Sequence, residues 1–254
     1  MIDPLPIWAI AVAIAAIIAI CGEWGFHIGA NTKDSLHESP YGVLQAAIFG
    51  LLALLLAFSF SLGIARYDAR RAAVVDEADS IKAVLRRSQL LDTRSAASMN
   101  TYLEQYLKAR IAFAEAEGDE RIRTEALHRS AALEERMWSL AVAQAHDYKQ
   151  PINVQLFVES LENMFAKGDE LEAILAAHIP DAVVIVLTIV IAFAAVLLGV
   201  GFGRTGRRGT VAIAFFAVVL AAVVGVNVDL DRPQSGFIFV NMQPLETLAQ
   251  HWHQ

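Results

Sequence analysis

Four stretches of this chain contain no charged residue at all: 5–22, 42–62, 182–203 and 210–226. Each is close to the roughly 20 residues that an α-helix needs to cross the hydrocarbon of a bilayer. They are apolar on every side, without the period-two alternation of a half-buried strand. Lipid offers backbone N–H and C=O groups no partners, so a crossing segment of this kind must satisfy them internally, as a helix. The overall composition agrees, with 56% hydrophobic residues in 254. The first block has no Lys or Arg before it and no small-x-small cleavage site after it, so it is read as a retained helix rather than a signal peptide.

The polar stretch from Arg66 to His178 holds 15 of the 20 Lys and Arg and 19 of the 27 acids, an excess of four acids. Apolar residues recur in it at helical spacing. Val74, Ala78, Ile81 and Leu85 form one group; Met99, Leu103, Tyr106 and Phe113 a second; Leu133, Met137 and Leu140 a third. Phe157, Leu161, Phe165, Leu171, Ile174 and Leu175 form the fourth, and breaks are expected at Leu91–Arg94, Gly118–Asp119 and Asp147–Pro151. The fold class is therefore all-α: an integral membrane protein with four transmembrane helices and a helical cytoplasmic domain inserted between helices two and three. The expected divisions are 1–65 for the first two spans, 66–179 for the helical domain, 180–228 for the last two spans and 229–254 for a C-terminal tail. One unbroken helix is expected from Gly42 to Leu90, and another over 152–203 with a kink at Pro180.

Four crossings put both termini and the helical domain on one side. Arg66, Arg70, Arg71, Lys82, Lys167 and Arg232 lie there, against Lys33, Arg204, Arg207 and Arg208 opposite, so the positive-inside rule makes that side the cytoplasm. A formal charge of −7 excludes nucleic acid as a natural partner. The chain has one cysteine, Cys21, and no Ser/His/Asp, Cys/His or H-E-x-x-H arrangement, so nothing in it supports an enzyme, a cofactor or a metal site. Gly201-Phe-Gly203-Arg-Thr-Gly206 matches a nucleotide-binding fingerprint but closes a membrane span instead of following a strand, and reads as a flexible hairpin. His251-Trp252-His253 reads as an interfacial tryptophan between solvated histidines. Asp229 and Asp231 sit beside Arg232, a ready ion-pair partner, and Glu23 closes the first span.

The second apolar helix carries the most specific pattern. Gln45, Phe49, Leu52, Leu56, Ser59, Gly63, Arg66 and Arg70 form one stripe, polar at one end, apolar in the middle and cationic at the other. The adjacent stripe, Ala46, Gly50, Ala53 and Ala57, is small throughout, which lets membrane helices approach closely. A ring of such helices packed through the small stripe would set Phe49, Leu52 and Leu56 around an axis, as an apolar constriction that gates by dewetting, with arginines beyond it favouring anions. The equal alternative is that the aromatic face meets lipid and the arginines meet headgroups.

Further features join these in order: Glu23-x-Gly25-Phe26-x-x-Gly29, Phe58-Ser-Phe-Ser-Leu62, Arg70-Arg71-x-x-Val74-x-x-Glu77-Ala78-x-x-Ile81, Trp138, Asn163-Met164, His178-Ile179-Pro180 and Asp229-Leu-Asp231-Arg232-Pro233-x-x-Gly236. In these residues the chain resembles the bestrophin-like domain family of bacterial membrane proteins, named for the bestrophins, which are pentameric anion channels. The resemblance implies a homo-oligomer, a pentamer, in the bacterial inner membrane, with inorganic anions passing a pore lined by the second span. It also implies a calcium-holding acidic cluster after the fourth span, where this chain offers only Asp229 and Asp231. The competing class is a non-conducting membrane protein whose helical domain docks a partner.

Overall fold

The computed structural model describes residues 6–31, 41–116, 119–146, 151–177, 181–231 and 241–252. Lys33, His178-Ile179-Pro180, Arg232-Pro233, Gly236 and His253 lie outside them, as does the side chain of Asp231. The described residues form eight helices and no strand: α1 (Ile7–Asn31), α2 (Tyr41–Ser88), α3 (Thr93–Ala114), α4 (Glu120–His146), α5 (Pro151–Ala176), α6 (Asp181–Thr205), α7 (Thr210–Asp231) and α8 (Gln243–Gln250). They divide into two compact units, Met1–Ala65 with His178–Arg232, and Arg66–Ala177 with Pro233–Gln254.

The first unit holds α1, the start of α2, α6 and α7. Among the described residues, four helices are long and apolar enough to cross a membrane: α1, α2, α6 and α7. Ile14 and Ile18 of α1, Leu52 of α2, Leu187 and Ile191 of α6, and Leu220 and Val224 of α7 form its buried cluster. Helix–helix contact within lipid gains nothing from expelling water, so close packing depends on small residues. Here those are Gly25 and Gly29 on α1 and Gly199 and Gly203 on α6. A Cβ on Gly25 would strike the backbone of Val196, one on Gly29 that of Val200, one on Gly199 that of Gly22, and one on Gly203 that of Phe26. The expected small stripe on the second span is not used this way within the chain. Ala46, Gly50, Ala53 and Ala57 are all exposed, and nothing lies within 4 Å of a Cβ on Gly50.

The hairpin reading of Gly201–Gly206 is corrected in part. Gly203 lies within α6 against α1, and only Gly206 turns the chain, at φ +66°, its N–H donating to the Gly203 carbonyl at 3.1 Å. A left-handed residue just past a helix end is where glycine costs least.

The second unit holds the rest of α2 with α3, α4, α5 and α8. Its core is the set that helical periodicity picks out, with Val74, Ile81, Met99, Leu103, Tyr106, Met137, Phe157 and Leu161 all buried. Asp92 caps α3, accepting from the Arg94 and Ser95 amides at 3.0 and 3.1 Å. Asp119 does the same before α4, accepting from Arg121 and Ile122 at 3.0 and 3.2 Å.

Two expectations are corrected here. The helix expected over 152–203 is two helices, ending at Ala176 and restarting at Asp181. The segment expected as a tail over 229–254 contains helix. α7 runs on to Asp231, and α8 packs on α3 with Leu245, Leu248 and Trp252 buried. Trp252 therefore serves the core of the helical unit, not a membrane interface.

Candidate functional site

α2 is 48 residues long, about 72 Å at 1.5 Å per residue, and its two sides differ completely. The stripe expected to line a pore faces the chain's own helices. Leu52 is 3% exposed inside the first unit's cluster, Ser59 is buried, and Leu56 packs against the same cluster. Phe49 meets Phe216 of α7 edge to face, with ring centroids 5.5 Å apart at 80°. Gly63 faces α7, where a Cβ would lie 3.4 Å from Leu230 and 3.7 Å from Asn227 Oδ1. Gln45 and Arg66 are half-buried. Arg70, in the second unit, is 1% exposed and donates from Nη2 to the Ala177 carbonyl at 3.0 Å. The large side chains sit inward because they carry the dispersion contacts that hold α2 to its neighbours.

The opposite side of α2 is uncovered. Spaced by three or four, Val43, Ala47, Gly50, Leu54, Ala57, Ser61 and Ala65 are all exposed. The same register continues with Asp68, Ala72, Val75 and Asp79, also exposed, and Asp79 pairs with Lys82 at 2.9 Å.

The second unit contains a buried charge cluster that periodicity alone does not reveal. Arg110 of α3 is 1% exposed. Its Nε donates to Glu77 Oε1 of α2 at 2.5 Å, its Nη1 to Glu172 Oε1 of α5, and its Nη2 to the Gly168 carbonyl at 3.0 Å. The guanidinium also lies over the Phe113 and Tyr106 rings, at 5.0 and 6.0 Å from their centroids. Burial alone would lower the Arg110 pKa, but Glu77, Tyr106 and Glu172 outweigh it and the group stays firmly charged. Gly168 is a close-approach position, since a Cβ there would lie 2.8 Å from the Tyr106 hydroxyl. Glu77 Oε2 and the Tyr106 hydroxyl are buried and meet no hydrogen bond of ordinary geometry. Glu134 of α4 stands beside Tyr106, and desolvation pushes its carboxyl up to about 7, helped by Asp169 and Glu172 and opposed by Tyr106 and Arg110. The motif around Arg70 and Glu77 is thus readable in hindsight. Both residues fall on the apolar stripe of Val74 and Ile81, and a charge at a core position signals a buried partner.

At the far end of the first unit, Glu23 is half exposed and lies 3.5 Å from both His27 and Arg208. Arg208 covers the Phe26 ring and Arg204 the Tyr41 ring, at 5.5 and 5.0 Å. Asp229 is buried, and among the described residues no group of three or more His, Cys, Asp or Glu is placed to hold a metal ion.

A model of the Bestrophin-like domain matches residues 11–245. Among solved structures, the chain is similar to a bacterial bestrophin homologue from Klebsiella pneumoniae, with TM-score 0.67, 15% identity and 97% of each chain covered. A variant of that homologue gives TM-score 0.68 at 14% identity, again with 97% of each chain covered. At this identity the likeness establishes the fold. No curated protein matches the chain.

Proposed function

Starting from the fact that the chain belongs to the Bestrophin-like domain family, we propose that it is the subunit of a ring-shaped homo-oligomeric ion channel, with α2 lining the ion path. The protein is a membrane protein. In this reading α1, α2, α6 and α7 cross the bacterial inner membrane, and the helical unit lies in the cytoplasm with both termini. The number of subunits is five by family resemblance. The observation that carries the reading is the exposed face of α2, which runs from Val43 to Asp79 and is left open by the other described residues of the chain. A face of that length is available to an axis shared by several copies.

The composition of that face changes the pore wall from the one expected. Phe49, Leu52 and Leu56 stand behind the wall, holding α2 to its own bundle, and leave Leu54 as the largest side chain on the open stripe between Gly50 and Ala65. An apolar ring at Leu54 is the constriction, where water leaves because the walls offer it no hydrogen bonds. The expected anion preference rested on Arg66 and Arg70, but Arg70 is buried on the Ala177 carbonyl and Arg66 half-buried. Of the acids on the open stripe Asp79 is paired with Lys82, which leaves Asp68 to form the ring, and a ring of acids favours cations. The charge argument therefore favours cation conduction, with inorganic anions as the alternative.

Reconstitution of the purified chain in planar bilayers under a salt gradient tests both parts. Leu54→Ser raises conductance or open probability, and Asp68→Asn moves the reversal potential toward anions, most at low salt where screening is weak. A parent reversal potential on the anion side restores the anion reading. If parent and Leu54→Ser pass no current above protein-free bilayers, the docking alternative replaces the channel.

A further inference from the structure

We propose that the hairpin joining α6 to α7 binds an anionic phospholipid, with Arg207 and Arg208 holding its phosphate and Trp24 and Ile20 of α1 taking its acyl chain. The site requires α1, α6 and α7 to cross a membrane, as the proposed topology has them, but it requires no conduction. All of its residues lie in the first unit.

A hairpin between two spans lies at a bilayer surface, at the level of the headgroup phosphates. This one is cationic. Arg204, Arg207 and Arg208 are all exposed, and no acid stands between them. With the segment 32–40 that joins α1 to α2 at the same end, Lys33 and the three arginines stand against Glu23, Asp34 and Glu38, so this end is net positive on a chain of formal charge −7. A cationic cluster opposite the helical unit runs against the positive-inside bias. An anion from the membrane itself offsets that charge.

Rings rather than acids hold two of these side chains. The Arg208 guanidinium lies over the Phe26 ring of α1 at 5.5 Å, and Arg204 over the Tyr41 ring of α2 at 5.0 Å. A guanidinium stacked on a ring keeps its in-plane N–H groups available, and that fork matches the oxygens of a phosphate. The acid beside Arg208 is Glu23, whose Oε1 lies 3.5 Å from Arg208 Nη2 and also 3.5 Å from His27 Nε2. Arg208 and Glu23 are 67% and 50% exposed, so their pairing is weak and a phosphate competes with it. Arg207 makes no hydrogen bond, ion pair or ring contact among the described residues, and its donors are free.

Deeper than the arginines the surface is apolar. Trp24 and Ile20 of α1 are 64% and 69% exposed and one helical turn apart, so they form a strip leading from the level of Glu23 and Arg208 toward the hydrocarbon. On α7, Val211 and Phe215 are exposed as well, on the side away from Ile213, which lies 3.2 Å from where a Cβ on Gly22 of α1 would stand. Arginine at phosphate level, an indole at the interface and an apolar strip beneath it match the three parts of a phospholipid in order. A soluble anion would use only the first.

Thermal unfolding of the full-length protein in nonionic detergent reads the site, with phosphatidylglycerol compared against phosphatidylcholine of the same acyl chains. A ligand of the native state raises Tm by mass action. At low salt, phosphatidylglycerol should raise the parent's Tm by about 2–4 °C more than phosphatidylcholine does. Arg207→Gln combined with Arg208→Gln should remove most of that excess, whereas Arg121→Gln with Arg129→Gln, which deletes two exposed charges from α4, should keep it. Native mass spectrometry supplies a reading independent of Tm: the parent and the α4 variant should retain more phosphatidylglycerol per chain than the hairpin variant. The lipid site is overturned if the parent shows no excess, if the hairpin variant keeps it, or if the α4 variant loses it equally. Inorganic phosphate added with phosphatidylcholine should not reproduce the excess; if it does, the anion bound is free phosphate and the lipid assignment is wrong. Bilayer currents enter none of these readings, so failure here leaves the channel proposal standing, and failure of the channel leaves the lipid site.

Discussion

Arg110 shows how a single buried charge can be both a strength and a liability. With a hydrogen bond from every nitrogen it ties α3 to α2 and α5, yet its removal strands Glu77 Oε1 in a fully buried carboxylate whose Oε2 already lacks a donor. Breaking a buried pair from one side typically costs about 3–5 kcal/mol, because the remaining charge has no compensation. Arg110→Met should therefore melt well below the parent, and adding Glu77→Gln should return part of the loss; thermal unfolding of the detergent-solubilised protein checks both. Gly168 makes a sharper case. A Cβ at this position would lie 2.8 Å from the Tyr106 hydroxyl, so Gly168→Ala should cost about 1–3 kcal/mol by overpacking. The same substitution in a Tyr106→Phe background should cost measurably less, since the atom it strikes is gone.

At the scale of elements, the two glycine-bearing faces make opposite predictions. Gly25 and Gly199 sit where α1 and α6 touch backbone to backbone, so Gly25→Leu or Gly199→Leu should abolish the folded protein, seen as loss of a monodisperse peak in detergent. Gly50 has open space around it within its own chain, so Gly50→Leu should fold. If Gly50→Leu folds but no longer assembles like the parent, the uncovered face of α2 meets another copy; unchanged assembly removes that face from the interface. Leu52 and Leu54 separate the two sides of α2 in the same way. Leu52→Ser takes a packed side chain out of the bundle and should lower thermal stability, whereas Leu54→Ser should leave stability near the parent's and act on conduction.

For the whole molecule, the proposal requires a ring and an orientation. Native mass or particle symmetry of the purified protein should show an axial homo-oligomer, five-fold on family resemblance; a monomer or closed dimer favours docking. Orientation is read from a Cys21→Ser protein carrying Thr124→Cys, since Thr124 is exposed on the helical unit. That thiol should resist an impermeant reagent in intact cells and react after lysis, and labelling before lysis would reverse the proposed topology.

What the sequence alone determined follows from constraints that act along the chain. Charge-free blocks of about 20 residues have one answer in lipid, because the backbone must satisfy itself. The continuity of α2 from Tyr41 to Ser88 was legible because nothing between them breaks a helix, and the core of the helical unit was legible because Val74, Ile81, Met99 and Phe157 recur at its period. Periodicity groups residues into faces but does not say which neighbour a face meets. Phe49, Leu52 and Leu56 were recognisable as one stripe, yet only the positions of α6 and α7 turned that stripe inward and left Val43, Leu54 and Asp68 on the open side. The small residues of α2 look in sequence as suited to close packing as Gly25 and Gly199, and tertiary contact alone distinguishes them. The Arg110 cluster was beyond reach for the same reason. Its members lie on four helices and up to 95 positions apart, from Glu77 to Glu172, and their meeting is a property of the packed unit.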